Sequence, residues 1–147
     1  MADRNAWVAL IRSFEGTPYH HQGRLPGVGM DCPAPIICAA WAFGIKPRAF
    51  DVTGYSPIPD GTLEQICEEH MRPVLFQDAL PGDVILGRFG TGHAQHMGVL
   101  VDNTPSRRYW IHAEGFRHKR VMLSRLVFGS EPQSMRLVGA FRVPGVA

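Results

Sequence analysis

"GVGMDCPAPIICAAW", Gly27 to Trp41, sets a cysteine between an aspartate and two closely spaced prolines, where a glycine-rich loop gives way to an apolar run. From about Pro33 to Phe43 that run is apolar almost all round, which predicts a buried helix with Gly44 as its C-terminal cap. Pro33 and Pro35 are compatible with a helix start, because the amides of a first turn have no intrahelical acceptor to lose. Each proline disfavours helical geometry in the residue before it, so either Ala34 is strained or the regular helix begins slightly later. Cys32 therefore stands at a helix start, where negative charge is favoured and a thiol's pKa falls from its usual value of roughly 8.5. Cys38 and Cys67 lack that placement and read as core residues.

Upstream, Trp7, Leu10, Ile11 and Phe14 recur at helical spacing and predict an amphipathic helix from about Asn5 to Glu15, stopped by Gly16. "GTPYHHQGRLPGVGMD", Gly16 to Asp31, is then a long loop of the kind that usually carries function in a compact domain. Downstream, "TLEQICEEHMRPV" reads as a third helix, with Thr62 and Gln65 as a capping box and Leu63, Ile66 and Cys67 facing inward. After Pro81 the texture changes to short strands, expected at 83–89, 97–102, 108–114, 119–126 and 138–143. Helices first and strands afterwards, without alternation, predict an α+β fold in which N-terminal helices pack on a C-terminal antiparallel sheet. A chain of 147 residues, 45% hydrophobic and 19% charged, is expected to form one domain spanning 1–147.

Fifteen basic residues are mixed with thirteen acidic ones for a net charge of +2, which argues against nucleic acid as a partner. The one notable basic cluster is "FRHKR", Phe116 to Arg120, with Arg107 and Arg108 just upstream. It is either a solvated hairpin face or a contact for an anionic polymer or partner. Three cysteines without a CxxC pair argue against a disulfide framework and for folding in a reducing compartment. The N-terminus is charged and amphipathic, without the apolar core of a signal peptide, and no run approaches the ~18 apolar residues of a membrane span, so membrane insertion is not expected.

A cysteine nucleophile needs a base within hydrogen-bond reach and a third group to fix that base's tautomer. His96 opens the strand "HMGVLVD" and His112 lies in "WIHAE" on the next one, so antiparallel neighbours would bring the two imidazoles together. Cys32, His96 and His112 are thus the candidate catalytic set. His20 and His21 either line a groove or belong to an exposed loop; His93 is a rim residue or a decoy for His96; His70 and His118 fall on exposed faces. A zinc site made of Cys32, His96 and His112 would have a ligand spacing unlike any common zinc motif.

"GTPYHHQGRLPGVGMDC" followed by an apolar helix resembles the entrance of the NlpC family of cell-wall cysteine endopeptidases, whose fold is a papain-like α+β domain. "LPGDVILGRFGTGHAQHMGVLVD" is similar to that family's PGD and histidine-x-glycine segment, and "WIHAE" to the strand carrying its third residue. The wording around "HQGR" and "PGVGMDC", with the closing "GAFRVPG", is closer still to cell-wall peptidases encoded among phage tail genes, including those of gene transfer agents. Carried onto this chain, the resemblance implies Cys32 as nucleophile, His96 as base and His112 as the residue orienting it. It also implies a Tyr19 hydroxyl near the oxyanion, with the Cys32 amide as the other donor, and Asp31 as a local structural or substrate-facing carboxylate. The implied reaction is hydrolysis of an amide in peptidoglycan stem peptides, typically D-γ-glutamyl to diaminopimelate, through a thioester and without metal or cofactor. The implied setting is a protein made in the cytoplasm, carried in a virion or phage-like tail on hub or tip proteins, and acting in the periplasm or cell wall. Two alternatives stay open: a tail assembly or plug protein that keeps the fold, and an acyltransferase or amidase using the same pair. One departure is visible, since the family usually continues DC-S-G where this chain has "DCPAP", replacing two amides by prolines.

Overall fold

A computed structural model describes residues 1–131 and 133–147. Helix α1, Arg4–Arg12, starts where the Asp3 side chain accepts a hydrogen bond from the Ala6 amide at 2.9 Å, and it buries Trp7 and Ile11. It ends before the expected Glu15. Phe14 and Glu15 instead donate to the carbonyls three residues back, in tighter turns that lead into Gly16 at φ +91°. The segment from Gly16 to Asp31 contains a small antiparallel hairpin, β1 (Arg24–Leu25) with β2 (Gly29–Met30).

Helix α2, Ala34–Ala42, forms from the apolar run after Cys32. Pro33 is its N-cap and Pro35 lies in its first turn, as the chemistry of orphan amides allows. Residues Ala34 to Ala40 are buried all round, and Gly44, at φ +68°, closes the helix by donating to the Trp41 carbonyl at 3.1 Å. Helix α3, Thr62–His70, differs from expectation at both ends. Thr62 is not a cap and forms no box with Gln65; Gly61 takes the N-cap place, and Asp60 accepts from the Thr62 amide at 3.0 Å and its hydroxyl at 2.5 Å. At the other end the chain leaves the helix at His70, and Arg72–Val74 forms strand β3 rather than a last helical turn. Pro73 is tolerated there because β3 is an edge strand.

The strands β4 (Val84–Phe89), β5 (His96–Thr104), β6 (Arg107–Glu114), β7 (Arg120–Arg125) and β8 (Met135–Arg142) complete a six-stranded antiparallel sheet of order β3-β8-β4-β5-β6-β7. Alternation along β5 sends Met97 and Val99 into the main core with Trp7, Ile11 and Ala39, together with Ile111 and Val121 of the neighbouring strands. The opposite face carries a smaller cluster of Ile85, Leu100, Trp110 and Met135. No helix among the described residues is long and apolar enough to cross a membrane.

Asp83 fastens helix to sheet. Its carboxylate, fully buried, accepts from Arg4 at 3.1 Å, from Arg142 at 3.0 and 2.7 Å and from the Leu80 amide at 2.8 Å, while Trp7 Nε1 donates to the Gly82 carbonyl at 3.1 Å. One carboxylate thus joins α1, the turn before β4 and β8. Asp83→Ala leaves two partly buried guanidinium groups without their acid, so urea unfolding is expected to show a loss of about 3 kcal/mol with an unchanged slope. A loss below about 1 kcal/mol would mean that the arginines are adequately served by water.

Candidate active site

Asp31, 1% exposed, fixes the approach to Cys32. One carboxylate oxygen accepts from Arg24 Nη1 at 2.7 Å, and the other from the Gln22 amide at 2.7 Å and from the Tyr55 hydroxyl. Arg24 in turn donates to the Tyr55 oxygen at 2.7 Å, the Val52 carbonyl at 2.9 Å and Asp51 at 2.9 Å. Both oxygens of Asp31 thus accept hydrogen bonds from within the fold.

Cys32 follows directly, partly buried between β2 and α2. The helix start gives its sulfur little help. Pro33 and Pro35 have no amide hydrogen, and the Ala34 amide is spent on the Asp31 carbonyl at 3.2 Å. Burial pushes the thiol up to about 12 and the neighbouring Asp31 carboxylate adds to the shift, while the amides of Met97 and of Cys32 itself pull the other way. The expected lowering is therefore reversed: desolvation and a like charge outweigh a helix end whose donors are missing.

His96 and His112 meet as the strand register dictates. His112 lies opposite Gly98, two residues along β5 from His96. A side chain at Gly98 would stand 2.5 Å from the Trp110 ring and 2.9 Å from the His112 Cβ, so only glycine leaves both rings room to lie across β5. The result is a continuous line: His96 Nε2 to His112 Nδ1 at 2.6 Å, and His112 Nε2 to the Ser124 hydroxyl at 2.7 Å. Trp110 stacks on His112 with ring centroids 4.6 Å apart and meets His96 edge-on at 5.2 Å. Burial and the neighbouring His112 hold His96 down at about 3, and burial holds His112 at about 4, with Glu114 opposing both shifts. Two neutral tautomer arrangements satisfy this line. Only the one in which His96 donates to His112, and His112 donates to Ser124, leaves His96 Nδ1 a free lone pair for accepting a proton.

Alternation places His96 on the face away from the main core, whereas Cys32 packs against that core and meets β5 through the Met97 amide, one residue further on. Among the described residues no hydrogen bond joins the Cys32 sulfur to His96. Tyr19 completes the neighbourhood: burial, then the Cys32 and Asp31 charges, push its hydroxyl up to about 12, so it stays a proton donor. Its ring lies on Gly115, where an added Cβ would come within 2.8 Å.

Of the other histidines, His21 packs edge-on to Tyr55 at 5.4 Å and His20 is exposed. His93 is exposed and 3.8 Å from Glu64, and His70, expected on an exposed face, is half-buried and packs edge-on to Phe50. Sequence reasoning missed Ser124, Arg24, Tyr55 and Glu114. Ser124 was accessible in principle, because pairing "WIHAE" with "KRVMLSRL" puts it beside His112. Tyr55 carries no local signal, since it lies 24 residues from Asp31.

No family model matches the chain, and no curated protein does. Solved structures do. The NlpC/p60 domain of the peptidoglycan hydrolase SagA superposes with a TM-score of 0.55 at 20% identity, covering 84% of this chain and 90% of that one. A Staphylococcus aureus protein described as similar to a lipoprotein of the NLP/P60 family gives 0.59 at 20% identity over 95% of this chain, and NlpC1 from Trichomonas vaginalis 0.65 at 19% over 95%. The chain spans 42% and 44% of those two proteins. The expected α+β, NlpC-type fold is the observed one.

The neutral histidines make a pH prediction. Unfolded histidine titrates near 6.5, above both folded values, so the unfolded chain binds more protons at mildly acidic pH and stability falls as pH drops from about 6.5 towards 4. His112 alone should account for on the order of 2 kcal/mol at pH 5. Melting curves of wild type and His112→Gln between pH 7 and 4 are expected to show a clearly shallower acid slope in the variant; parallel slopes would contradict buried, neutral His112.

Proposed function

We propose that the chain is a cysteine peptidase that hydrolyses amide bonds in peptidoglycan stem peptides. The observation that carries this reading is the hydrogen-bonded line from Ser124 through His112 to His96, ending beside the segment of β5 that touches Cys32. In one of its two tautomer arrangements this line leaves His96 Nδ1 as a base, and the thiol held by the adjoining residue of β5 is the group that base would serve. The NlpC/p60 fold and the peptidoglycan hydrolase named among the similar structures support the substrate class.

In this reading the thiol is neutral at rest and gives its proton to His96 Nδ1 as its sulfur attacks the amide carbonyl. Tyr19, held protonated, and the Cys32 amide donate to the oxyanion. His96 passes the proton to the leaving amine, the C–N bond breaks and a thioester remains on Cys32. Water then attacks the thioester, giving a proton to His96, which returns it to the departing sulfur. The D-γ-glutamyl to diaminopimelate bond is the specific target we propose, and carriage on hub or tip proteins of a phage-like tail is the proposed route to the wall. The bond is what the resemblance to the NlpC family implies, and the tail route is supported by the likeness of "PGVGMDC" and "GAFRVPG" to tail-encoded peptidases.

A second reading, a tail assembly module without catalysis, is favoured by one observation: the buried thiol is not hydrogen-bonded to His96 and is held protonated. Mass spectrometry of peptides released from Gram-negative peptidoglycan separates the two. Wild type is expected to release stem peptides and Cys32→Ala to release none; equal release, or none by either, would overturn the peptidase reading. Ser124→Ala removes the hydroxyl that accepts from His112 in the arrangement leaving His96 Nδ1 free, so kcat is expected to fall about 10- to 100-fold, with Ser124→Thr restoring most of it. An unchanged kcat and pH profile in Ser124→Ala would show that the line does not set the base.

A further inference from the structure

The Phe116–Arg120 cluster, open at the sequence level between a solvated face and an anion contact, lies at the rim of this site. The loop after β6 is wound around one carboxylate: Glu114 accepts from the amides of Phe116 at 2.6 Å, Arg117 at 2.8 Å and His118 at 2.5 Å. Burial works against it, but these amides hold Glu114 down at about 2, so it stays charged. The loop is also tied to Tyr19, whose ring rests on Gly115 and whose amide donates to the Lys119 carbonyl at 2.8 Å. Lys119 itself is held at φ +55°, a conformation that a lysine seldom adopts.

The backbone is thus fixed from within while the side chains all face water. Phe116 is 91% exposed, and Arg117, Lys119 and Arg120 are exposed as well. Among the described residues these three cations form no ion pair; the loop's own pairing is His118 with Glu114 at 3.2 Å. A rigid loop that presents an aromatic ring and unpaired cations has little ordering cost left to meet on binding. It suits a ligand that carries carboxylates along an uncharged chain.

We propose that this loop is a substrate-binding rim that reads the free carboxylates of a peptidoglycan stem peptide, Arg117 and Lys119 taking the carboxylates and Phe116 covering the peptide. The inference rests on the peptidase reading, because its ligand is that reaction's substrate. The test measures binding of a dye-labelled soluble stem peptide to the full chain carrying Cys32→Ala, comparing free carboxylates with their amides at low and high salt. The unsubstituted loop is expected to favour the free acid about tenfold at low salt, and Arg117→Gln with Lys119→Gln to abolish that preference. Phe116→Ser should weaken both peptides alike. In the protein retaining Cys32, the loop variants should raise KM about tenfold and leave kcat in place. Melting temperatures matching wild type establish that the variants are folded. Equal binding of acid and amide, or loop variants with unchanged affinity and KM, would overturn this inference while leaving the peptidase reading intact. Carboxylate-dependent binding with no peptide release would instead uphold the rim and overturn the peptidase.

Discussion

The buried pairing of Asp31 with Arg24 is the constraint on which the site depends. The hairpin between Gly16 and Asp31 has two residues in each strand, far too short to hold itself together in water. Asp31 substitutes for the missing ladder by gathering the Gln22 amide, the Arg24 guanidinium and the Tyr55 hydroxyl around one carboxylate. Breaking such a buried pair costs about 3–5 kcal/mol, a large share of the stability of a domain this size. Cys32 inherits its position from this clamp, because it is the next residue in the chain and leads straight into the buried helix α2.

Electrostatics then set the resting state of the site. Cys32, His96 and His112 are all pushed towards their neutral forms by burial, and the charges around them only modify that outcome. A thiolate facing an imidazolium would gain Coulomb energy, yet each ion would first have to be stripped of water, and the amides that usually repay a thiolate are replaced here by prolines. The resting site therefore holds a neutral thiol and two neutral imidazoles, and the peptidase proposed above would separate charge only as the thiol attacks. Glu114 serves two places at once: its field opposes the lowering at both imidazoles, and its oxygens fold the loop after β6.

The fold was largely legible because its signals are local. Apolar runs marked α2 and the five longer strands, and Gly44 marked a helix end. Register then followed from pairing: once "HMGVLVD" and "WIHAE" are neighbours, His96 and His112 must lie close, and Gly98 between them is required by the rings it faces. What stayed hidden depended on distant contacts or on competition between effects. Gly61 takes the cap place of α3 while Asp60 engages the Thr62 amide and hydroxyl, and β3 forms around a proline because the sheet edge tolerates one. The ionisation of Cys32 turned on burial and on Asp31, neither of which a helix-start rule takes into account.

In the proposed reaction Cys32 forms a bond to the substrate's acyl half. Intact-protein mass spectrometry of samples quenched in acid during the first turnovers on a purified stem peptide tests this most directly. The expected result is a transient adduct with the mass of the acyl half, localised to Cys32 and absent from Cys32→Ala. Peptide release with no adduct at any time, continuing at full rate in Cys32→Ala, would contradict it.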